Sequence, residues 1–539
     1  MARELRIDGL LIPVEKDGAG EYLKAAARRL GIPAAGIGVV RILAKTPVFG
    51  DRRQFYYELS LAVRVPAGYK NKENFPRYAA KPVMRYKPAP AGPRPVVIGF
   101  GPAGMFAALE LIEYGLKPLI FERGKKLEER HADVRRFIKE RKLVPESNIQ
   151  FGEGGAGTYS DGKLFSRRKN TSYAGKVLDT FIKFGAPPEI SYVSKPHLGT
   201  DLLRRIVANI RNHILARGGE IHYGSKLTDI LVSGDAAAGV VINGSAEYLS
   251  PAIYLAIGHS ARDTFELLHK KGITLEQKPV SVGVRVEHPA ATINLIRYGA
   301  KYGNFPGIGA AVYSFNYTNR RTGRGAYTFC MCPGGEVVNA SSEEGLLALN
   351  GMSCAARDSA FSNAAIAVTC VPADYGSAHP LAGFKFQRGI ERKAFLAGGG
   401  DWRTPAQNLS DFLRGRRSSA LNRNSCAMGT RSADLAGLFP AFITGTLRCA
   451  FKQWKKESPL FVADDALLMG PETRTTSPVR IRRGKNFMSI NMRGLYPIGE
   501  GSGYSGGITS SAADALKAVE AAMNRGATYW ASGSDPVIL

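Results

Sequence analysis

The chain has little cysteine, and none of it follows a common redox or zinc spacing. Its 539 residues contain six cysteines, the first at position 330, and no C-x-x-C. The first residues, MARELRIDGLL, lack the charged start, apolar run and cleavage site of a secretory signal peptide. Reduced thiols and a cytoplasmic location are therefore expected. The cysteines are Cys330, Cys332, Cys354, Cys370, Cys426 and Cys449.

Long hydrophobic runs are also missing. The most apolar stretch, residues 95–112, contains Glu110, Pro102 and three glycines. A membrane span needs about 20 consecutive apolar residues, so a strand, a turn and a helix start fit this stretch better. The sequence predicts no membrane-spanning segment and no membrane partner.

Acidic residues are scarce relative to basic ones. There are 73 Lys and Arg against 46 Asp and Glu, a formal net charge of +27. Residues 1–94 hold 18 of the basic and 8 of the acidic residues. Only 22% of residues are charged, which excludes a disordered polybasic protein.

The predicted secondary-structure pattern changes along the chain and divides it into several units. Residues 1–80 predict a small α+β unit of order β-α-β-β, resembling a ferredoxin-like layer. Residues 81–95 carry five prolines and predict a stiff linker. An α/β pattern follows over 96–280, residues 281–477 are mixed α+β, and 478–539 return to strand, glycine-rich turn and Ala-rich helix.

A glycine motif marks the start of the α/β part. Gly99, Gly101 and Gly104 form G-x-G-x-x-G directly after the strand PVVI and before a helical pattern. Such a turn lets backbone N–H groups and the helix N-terminus approach a pyrophosphate. Glu122 ends the next predicted strand, where an acidic side chain accepts hydrogen bonds from a ribose. The sequence therefore predicts a dinucleotide site.

The far end of the chain identifies the dinucleotide by resemblance. Gly499–Glu500, in YPIGEGSGYSGGI, precedes an Ala-rich helix beginning near Ile508. This pattern resembles flavoproteins of the glutathione reductase type, which implies that the pair holds the ribityl chain of FAD. The helix N-terminus would then stabilise the negative charge of the reduced flavin. Many such enzymes have Asp where this chain has Glu500. The longer side chain keeps the acceptor oxygens, but the sequence does not identify which ribityl hydroxyl group they would bind.

Five motifs in order, GFGPAG, GEGGAGTYSDGKL, AIGHSARD, GVRVEHP and YPIGEGSGYSGGI, resemble the bacterial FAD-dependent dehydrogenases. The resemblance covers the chain after residue 90 and, less sharply, the N-terminal unit. It implies an α/β fold with a discontinuous Rossmann-like FAD-binding domain (96–280 and 478–539), an inserted α+β substrate domain (281–477) and a small-molecule substrate. The implied FAD-binding residues are Gly99, Gly101, Pro102, Ala103, Gly104, Glu122, Arg123, Gly154, Gly155, Thr158, Gly162, Lys163, Gly258, Gly499, Glu500, Gly506, Gly507 and Ile508.

Two sequence motifs of other flavoenzymes are absent, and their absence excludes some types of flavin reaction. The segment GEGGAGTYSDGKL has no cysteine, which excludes a thiol relay there, and no second G-x-G-x-x-G stands in a strand–turn–helix setting. NAD(P)H is therefore expected only as a transient co-substrate docked on the flavin. Flavin hydride chemistry needs an acid or base and a cation near the ring. The catalytic candidates are Asp161, Lys163, Arg285 and His288, with His259 and Tyr504 as weaker ones.

Several alternatives stay open. Cys330 and Cys332 in TFCMC point to one side of a predicted strand, and buried core cysteines are favoured over a redox or metal pair; no metal site is predicted. A basic N-terminal unit with Phe55, Tyr56 and Tyr57 leaves an RNA-binding or RNA-modifying flavoprotein as the minority alternative. A non-catalytic flavin-binding assembly or sensor protein is a third. The sequence gives no oligomeric state.

Overall fold

The computed structural model describes residues 3–79, 86–89, 92–164 and 172–524. Its helices are α1 (Ala19–Leu30), α2 (Pro102–Glu113), α3 (Leu127–Glu140), α4 (Ser172–Lys183), α5 (Gly199–Ala216), α6 (Arg262–Lys270), α7 (Ala290–Tyr302), α8 (Ala382–Ala397), α9 (Leu409–Arg414), α10 (Ala441–Glu457) and α11 (Ile508–Asn524).

The strands, in chain order, are β1 (Arg3–Pro13), β2 (Gly38–Val48), β3 (Tyr56–Val65), β4 (Val96–Ile98), β5 (Leu119–Phe121), β6 (Glu220–His222), β7 (Leu227–Ser233), β8 (Ala236–Ile242), β9 (Ala246–Leu249), β10 (Ile253–Leu255), β11 (Leu275–Gln277), β12 (Val280–Pro289), β13 (Asn316–Thr318), β14 (Gly325–Cys332), β15 (Glu336–Asn339), β16 (Leu349–Met352), β17 (Phe361–Cys370), β18 (Thr404–Asn408), β19 (Thr430–Ser432), β20 (Leu467–Glu472), β21 (Val479–Ile481) and β22 (Leu495–Pro497).

The N-terminal unit has the β-α-β-β order that its sequence indicates. The antiparallel sheet runs β1-β3-β2, and α1 ends at Gly31 in the left-handed conformation. A complete ferredoxin-like layer adds a second helix and a fourth strand. In the described residues, the segment around Arg77 occupies the outer edge of β1 instead, with Tyr78 N donating to Glu4 O over 2.9 Å. The unit matches the β-α-β-β half of that fold.

The segment predicted as a linker, 81–95, lies partly outside the described residues. Its described residues pack on the α/β part: the Tyr86 and Tyr114 rings are 5.1 Å apart, and Ala89 N donates to Tyr114 O over 2.9 Å. Arg94 forms an ion pair with Glu220.

A parallel sheet of order β22-β10-β4-β5-β6 forms the centre of the α/β part. β4 and β10 are completely buried, with apolar side chains such as Val97 and Tyr254, as expected for a sheet covered on both faces. β22 joins this sheet although the whole of 281–477 separates it from β10. The predicted fold class, a Rossmann-like α/β unit completed by a late segment, is confirmed; the exact domain boundaries stay predictions.

The inserted segment builds a mixed sheet of order β13-β14-β17-β12-β20-β18-β19, which we call the cap sheet. Its core includes Val284, Ile366 and Trp454 together with Phe55 of the N-terminal unit. The ring of Phe55 stacks on Tyr302 with centroids 4.3 Å apart, so the N-terminal unit packs on α7. No helix among the described residues is long and apolar enough to cross a membrane.

Candidate functional site

A cavity of about 630 Å³ lies between the parallel sheet and the cap sheet. On one side are residues that directly follow the carboxyl ends of β4, β5, β10 and β22, the edge where open α/β sheets bind ligands. The opposite wall comes from β14 and β20 of the cap sheet and from β16, which pairs with β15 in a separate two-stranded sheet. The predicted residues in its lining are Gly99, Gly101, Pro102, Ala103, Glu122, Arg123, Gly155, Asp161, Gly162, Lys163, Gly258, Glu500, Gly506, Gly507 and Ile508.

Two glycine-rich loops meet at the base of the cavity. Gly99 has φ +95°, and a Cβ there would lie 2.4 Å from the backbone oxygen of Ala256. A Cβ on Gly155 would lie 2.8 Å from the Cα of Gly101. The loops therefore touch backbone to backbone, which only glycine permits, and the N-terminus of α2 stays open to the cavity.

The Glu122 carboxylate ties these loops together. It accepts backbone N–H bonds from Phe100 at 2.8 Å and from Gly124 and Gly152 at 2.9 Å. A carboxylate offers about four acceptor positions, so one is left for a further donor. The neighbouring Arg123 pairs with Asp263 and Glu146 and lies over the Phe151 ring.

Arg130 on α3 is a positioning residue that the sequence analysis missed. Its buried guanidinium donates to five backbone carbonyls between Asn148 and Gly155, including Glu153 O at 2.6 Å and Ile149 O at 3.0 Å. One side chain therefore fixes the backbone of residues 148–155, which includes the start of the glycine-rich loop. The sequence did offer one indication of this role, because Arg130 lies on the apolar face of an amphipathic helix.

The loop residues Asp161 and Lys163 face the cap. Asp161 accepts from Arg357 Nε at 3.0 Å and from Ser353, and lies 3.1 Å from Lys163 Nζ. Burial would raise the pKa of Asp161, but Lys163 and Arg357 lower it. Lys163 also donates to the carbonyl oxygen of Met331 and is one-third exposed. The loop thus carries a fixed carboxylate and an accessible ammonium group.

At the other end of the cavity, Glu500 Oε2 lies 3.4 Å from His259 Nδ1. Within the described part of the chain, the buried Nε2 of His259 has no hydrogen-bond partner. Cβ atoms added at Gly506 and Gly507 would meet nothing closer than 3.8 Å, and α11 begins directly after them. This end offers polar atoms and a free helix N-terminus. Tyr504 stacks on Arg483 outside the cavity lining.

Arg285 and His288 lie on opposite faces of β12. Arg285 is fully buried and donates to Glu472 at 2.9 Å, Asn363 at 3.0 Å and the carbonyl of Cys330 at 2.7 Å, which places it directly behind the cavity wall. His288 points away, with Nε2 2.8 Å from Phe461 O and its ring stacked on Phe461. Neither residue is in the cavity lining.

Glu472 lines the cavity and was not predicted. Burial raises its pKa to about 7, although Arg285 opposes the shift. It ends β20, more than 300 residues after the first glycine motif, so nothing local in the sequence pointed to it. A carboxyl group of this pKa exchanges protons near neutral pH.

Cys330 also lines the cavity, together with Tyr327 and Phe329 of β14. β14 shifts register between Phe329 and Cys332, and Cys330 has φ +43°, so regular strand alternation does not continue through the two cysteines. Cys332 is buried, whereas Cys330 is half-buried. The described residues contain no group of three or more His, Cys, Asp or Glu that could hold a metal ion.

The remaining predicted residues pack beside the cavity. A Cβ on Gly104 would lie 1.9 Å from Gly99 O, one on Gly499 2.5 Å from Ala103 Cβ, and one on Gly154 2.1 Å from Thr158 Oγ1. These positions support the loops from behind.

A buried ionic cluster joins the α/β part to the cap. Glu391 on α8 accepts from Arg262 on α6 at 2.8 Å and from Arg474 at 3.0 Å. Arg474 also reaches Ser342 at 2.6 Å and lines the cavity. We call Arg262, Glu391 and Arg474 the junction cluster.

Comparison with known proteins finds a matching family profile and a relative. The profile of the family described as FAD-dependent protein, C-terminal domain-like, matches residues 279–475. An uncharacterized protein of Clostridium beijerinckii is 46% identical over 429 residues, which cover 79% of this chain and 80% of that protein.

Two solved flavoproteins resemble this chain at low similarity. CtdE in complex with FAD is 11% identical, with a TM-score of 0.30 over 80% of this chain and 84% of CtdE. The flavin-dependent brominase Bmp2 is 12% identical, with a TM-score of 0.34 over 79% of this chain and 76% of Bmp2. The activities of these two proteins do not transfer to this chain.

Proposed function

Because this chain belongs to the FAD-dependent protein family, we propose that it is a cytoplasmic FAD-dependent oxidoreductase that moves hydride between the flavin and a small molecule. One observation supports this best. A single cavity joins the glycine turn and Glu122 at one end to the Glu500–His259 pair and the start of α11, with the cap as the opposite wall.

The residues present fit an extended FAD. The glycine turn and the N-terminus of α2 suit the pyrophosphate, and the free acceptor position of Glu122 suits the adenosine ribose. The unpartnered Nε2 of His259 and the carboxylate of Glu500 suit the ribityl hydroxyls. The N-terminus of α11 suits the pyrimidine edge of the ring. Bound FAD would supply the two-electron chemistry.

The chain's own groups would direct that chemistry. Tyr327 and Phe329 line the cap side of the cavity with two aromatic rings, 6.5 Å apart and nearly perpendicular, which offer apolar surface to a substrate. Lys163 provides positive charge, and Glu472 holds or releases a proton near neutral pH. Arg285 positions Glu472 from behind. NAD(P)H, docking transiently in the same cavity, is proposed as the electron donor.

Flavin content and reduction test this function. Purified protein should release about one FAD per chain on denaturation, and its flavin absorbance should bleach under anaerobic NADH or NADPH. Protein that carries no flavin and cannot take up added FAD would overturn the proposal. Flavin that is bound but reduced only by dithionite would overturn the NAD(P)H part alone.

Proton supply by Glu472 predicts a pH dependence. Its pKa is raised to about 7, so the carboxyl group is protonated below that pH and ionised above it. Reoxidation of the reduced flavin by menadione takes up protons and should slow as pH rises through about 7. Glu472→Gln should abolish this transition and slow the rate at pH 6 by about 100-fold. Stopped-flow absorbance from pH 5.5 to 8.5 measures both.

Glu287 provides the matched control. Burial raises its pKa to about 7 as well, but its carboxylate bonds Ser425 and lies outside the cavity lining. Glu287→Gln should keep the transition. A transition retained in Glu472→Gln would exclude Glu472 as the proton donor.

The RNA alternative has less support in the geometry. Phe55 and Tyr57 are buried against the cap, and Arg64 pairs with Glu4. Arg28 and Arg29 pair with Glu21 and Glu73. We therefore develop the small-molecule proposal.

A further inference from the structure

Two thiols meet in the cap wall of the cavity. The register shift in β14 turns Cys330 toward the cavity, while Cys332 stays buried behind it. The Cys332 thiol donates to the carbonyl oxygen of Cys330, with Sγ 3.6 Å from that oxygen. A left-handed conformation at a residue other than glycine is costly, and such strain clusters at functional sites.

The surroundings of this pair favour a thiolate. Lys163 donates to the carbonyl of Met331, the residue between the two cysteines, and Arg285 donates to the carbonyl of Cys330 at 2.7 Å. The neighbouring Cys332 side chain lowers the pKa of Cys330 to about 5, with Lys163 and Arg285 adding to the shift against burial. The Cys330 side chain and burial raise the pKa of Cys332 well above its usual value. One attacking thiolate and one thiol therefore lie side by side.

We propose that Cys330 and Cys332 are a redox-active pair that exchanges two electrons with the flavin. This rests on the proposed function, since it needs FAD in the cavity. The Cys330 thiolate, the Cys332 thiol and FAD give one S–S bond and the anionic reduced flavin FADH⁻. The two sulfurs lose two electrons, and the proton of Cys332 ends on the flavin, so atoms and charge balance. The reverse reaction reduces the disulfide.

This cysteine pair lies in a different part of the chain from the thiol relay that the sequence analysis excludes. The glycine-rich loop at 152–164 has no cysteine, but the cap sheet brings a C-x-C to the same cavity from a segment more than 160 residues later. The other four cysteines lie outside the cavity lining.

An electron count on the FAD-loaded protein tests the pair. Air-oxidised holoenzyme titrated anaerobically with dithionite should take up four electrons per flavin, two by the flavin and two by the disulfide. Cys330→Ser and Cys332→Ser should each take up two. Cys354→Ser, which removes an exposed cysteine, should still take up four. Uptake of two electrons by the unaltered protein would overturn the proposal.

A thiol count needs neither a variant nor flavin activity. Alkylation of denatured, air-oxidised protein should label four of the six cysteines, and prior reduction should raise this to six. The peptide 325–357 should be 2 Da lighter before reduction. Six labelled thiols in the oxidised protein, with FAD bound and reducible, would overturn the pair and leave the oxidoreductase function standing. Protein that binds no FAD would overturn both.

Discussion

Replacing Gly104 by alanine should destabilise the protein and empty it of FAD. A Cβ at this position would lie 1.9 Å from the backbone oxygen of Gly99 and 3.4 Å from Val97 Cγ1. The first contact is with backbone, so α2 must move away from β4 and from the glycine turn. Overpacking of this kind costs about 1–3 kcal/mol. Because the same shift displaces the N-terminus of α2 from the cavity, we expect FAD affinity to fall at least 100-fold.

Gly445 is the matched control for this substitution. It also lies in a helix, α10, but a Cβ there would meet nothing within 4 Å. Gly445→Ala should therefore stabilise the protein by about 0.5–1 kcal/mol, because alanine favours the helix over glycine. Bound flavin and the midpoint of thermal unfolding measure both variants. Normal flavin content in Gly104→Ala would contradict the close approach of α2 to the glycine turn.

Replacing Glu391 by glutamine should cost about 3–5 kcal/mol of unfolding free energy, because it removes the fully buried carboxylate that the guanidinium groups of Arg262 and Arg474 share. Denaturant unfolding followed by fluorescence measures this loss. Since the junction cluster connects the α/β part to the cap, hydrogen exchange should rise first in α6 and α8. A loss below about 1 kcal/mol would contradict the role of the cluster.

Glu343 is the matched control within the same network. It pairs with Arg262 at 2.7 Å and Arg388 at 2.8 Å, but its side chain is 26% exposed. Water screens such pairs, so Glu343→Gln should cost at most about 1 kcal/mol.

The cluster also predicts a pH dependence with a definite sign. Burial would raise the pKa of Glu391, but Arg262 and Arg474 hold it far below the usual 4.5. A carboxyl group with a lowered folded-state pKa contributes its full stability above the unfolded-state value and loses it as pH falls through the folded-state one. The stability difference between the native protein and Glu391→Gln should therefore shrink only in acid.

The sequence by itself determined the parts of this protein that are local in the chain. A buried strand, a glycine turn and a helix start within 96–113 predicted the dinucleotide end of the site, because that geometry needs glycines at fixed spacing. Glu122 followed from its place after a strand end, whereas the role of the Gly499–Glu500 pair came from the resemblance to known flavoproteins. The β-α-β-β unit could be predicted for the same reason, because the hydrophobic periodicity of a strand or helix appears in consecutive residues.

Only the tertiary structure decided which side chains form the cap wall. Arg285 and His288 are three residues apart and were both catalytic candidates. Side chains alternate along a strand, so Arg285 supports the cavity wall and His288 faces Phe461. Glu472 and Cys330 reach the cavity through strand pairing in the cap sheet, and Cys330 does so through a register shift that alternation cannot predict. Pairing joins residues distant in sequence, so the glycine turn at one end of the cavity could be predicted and the side chains of the cap wall could not.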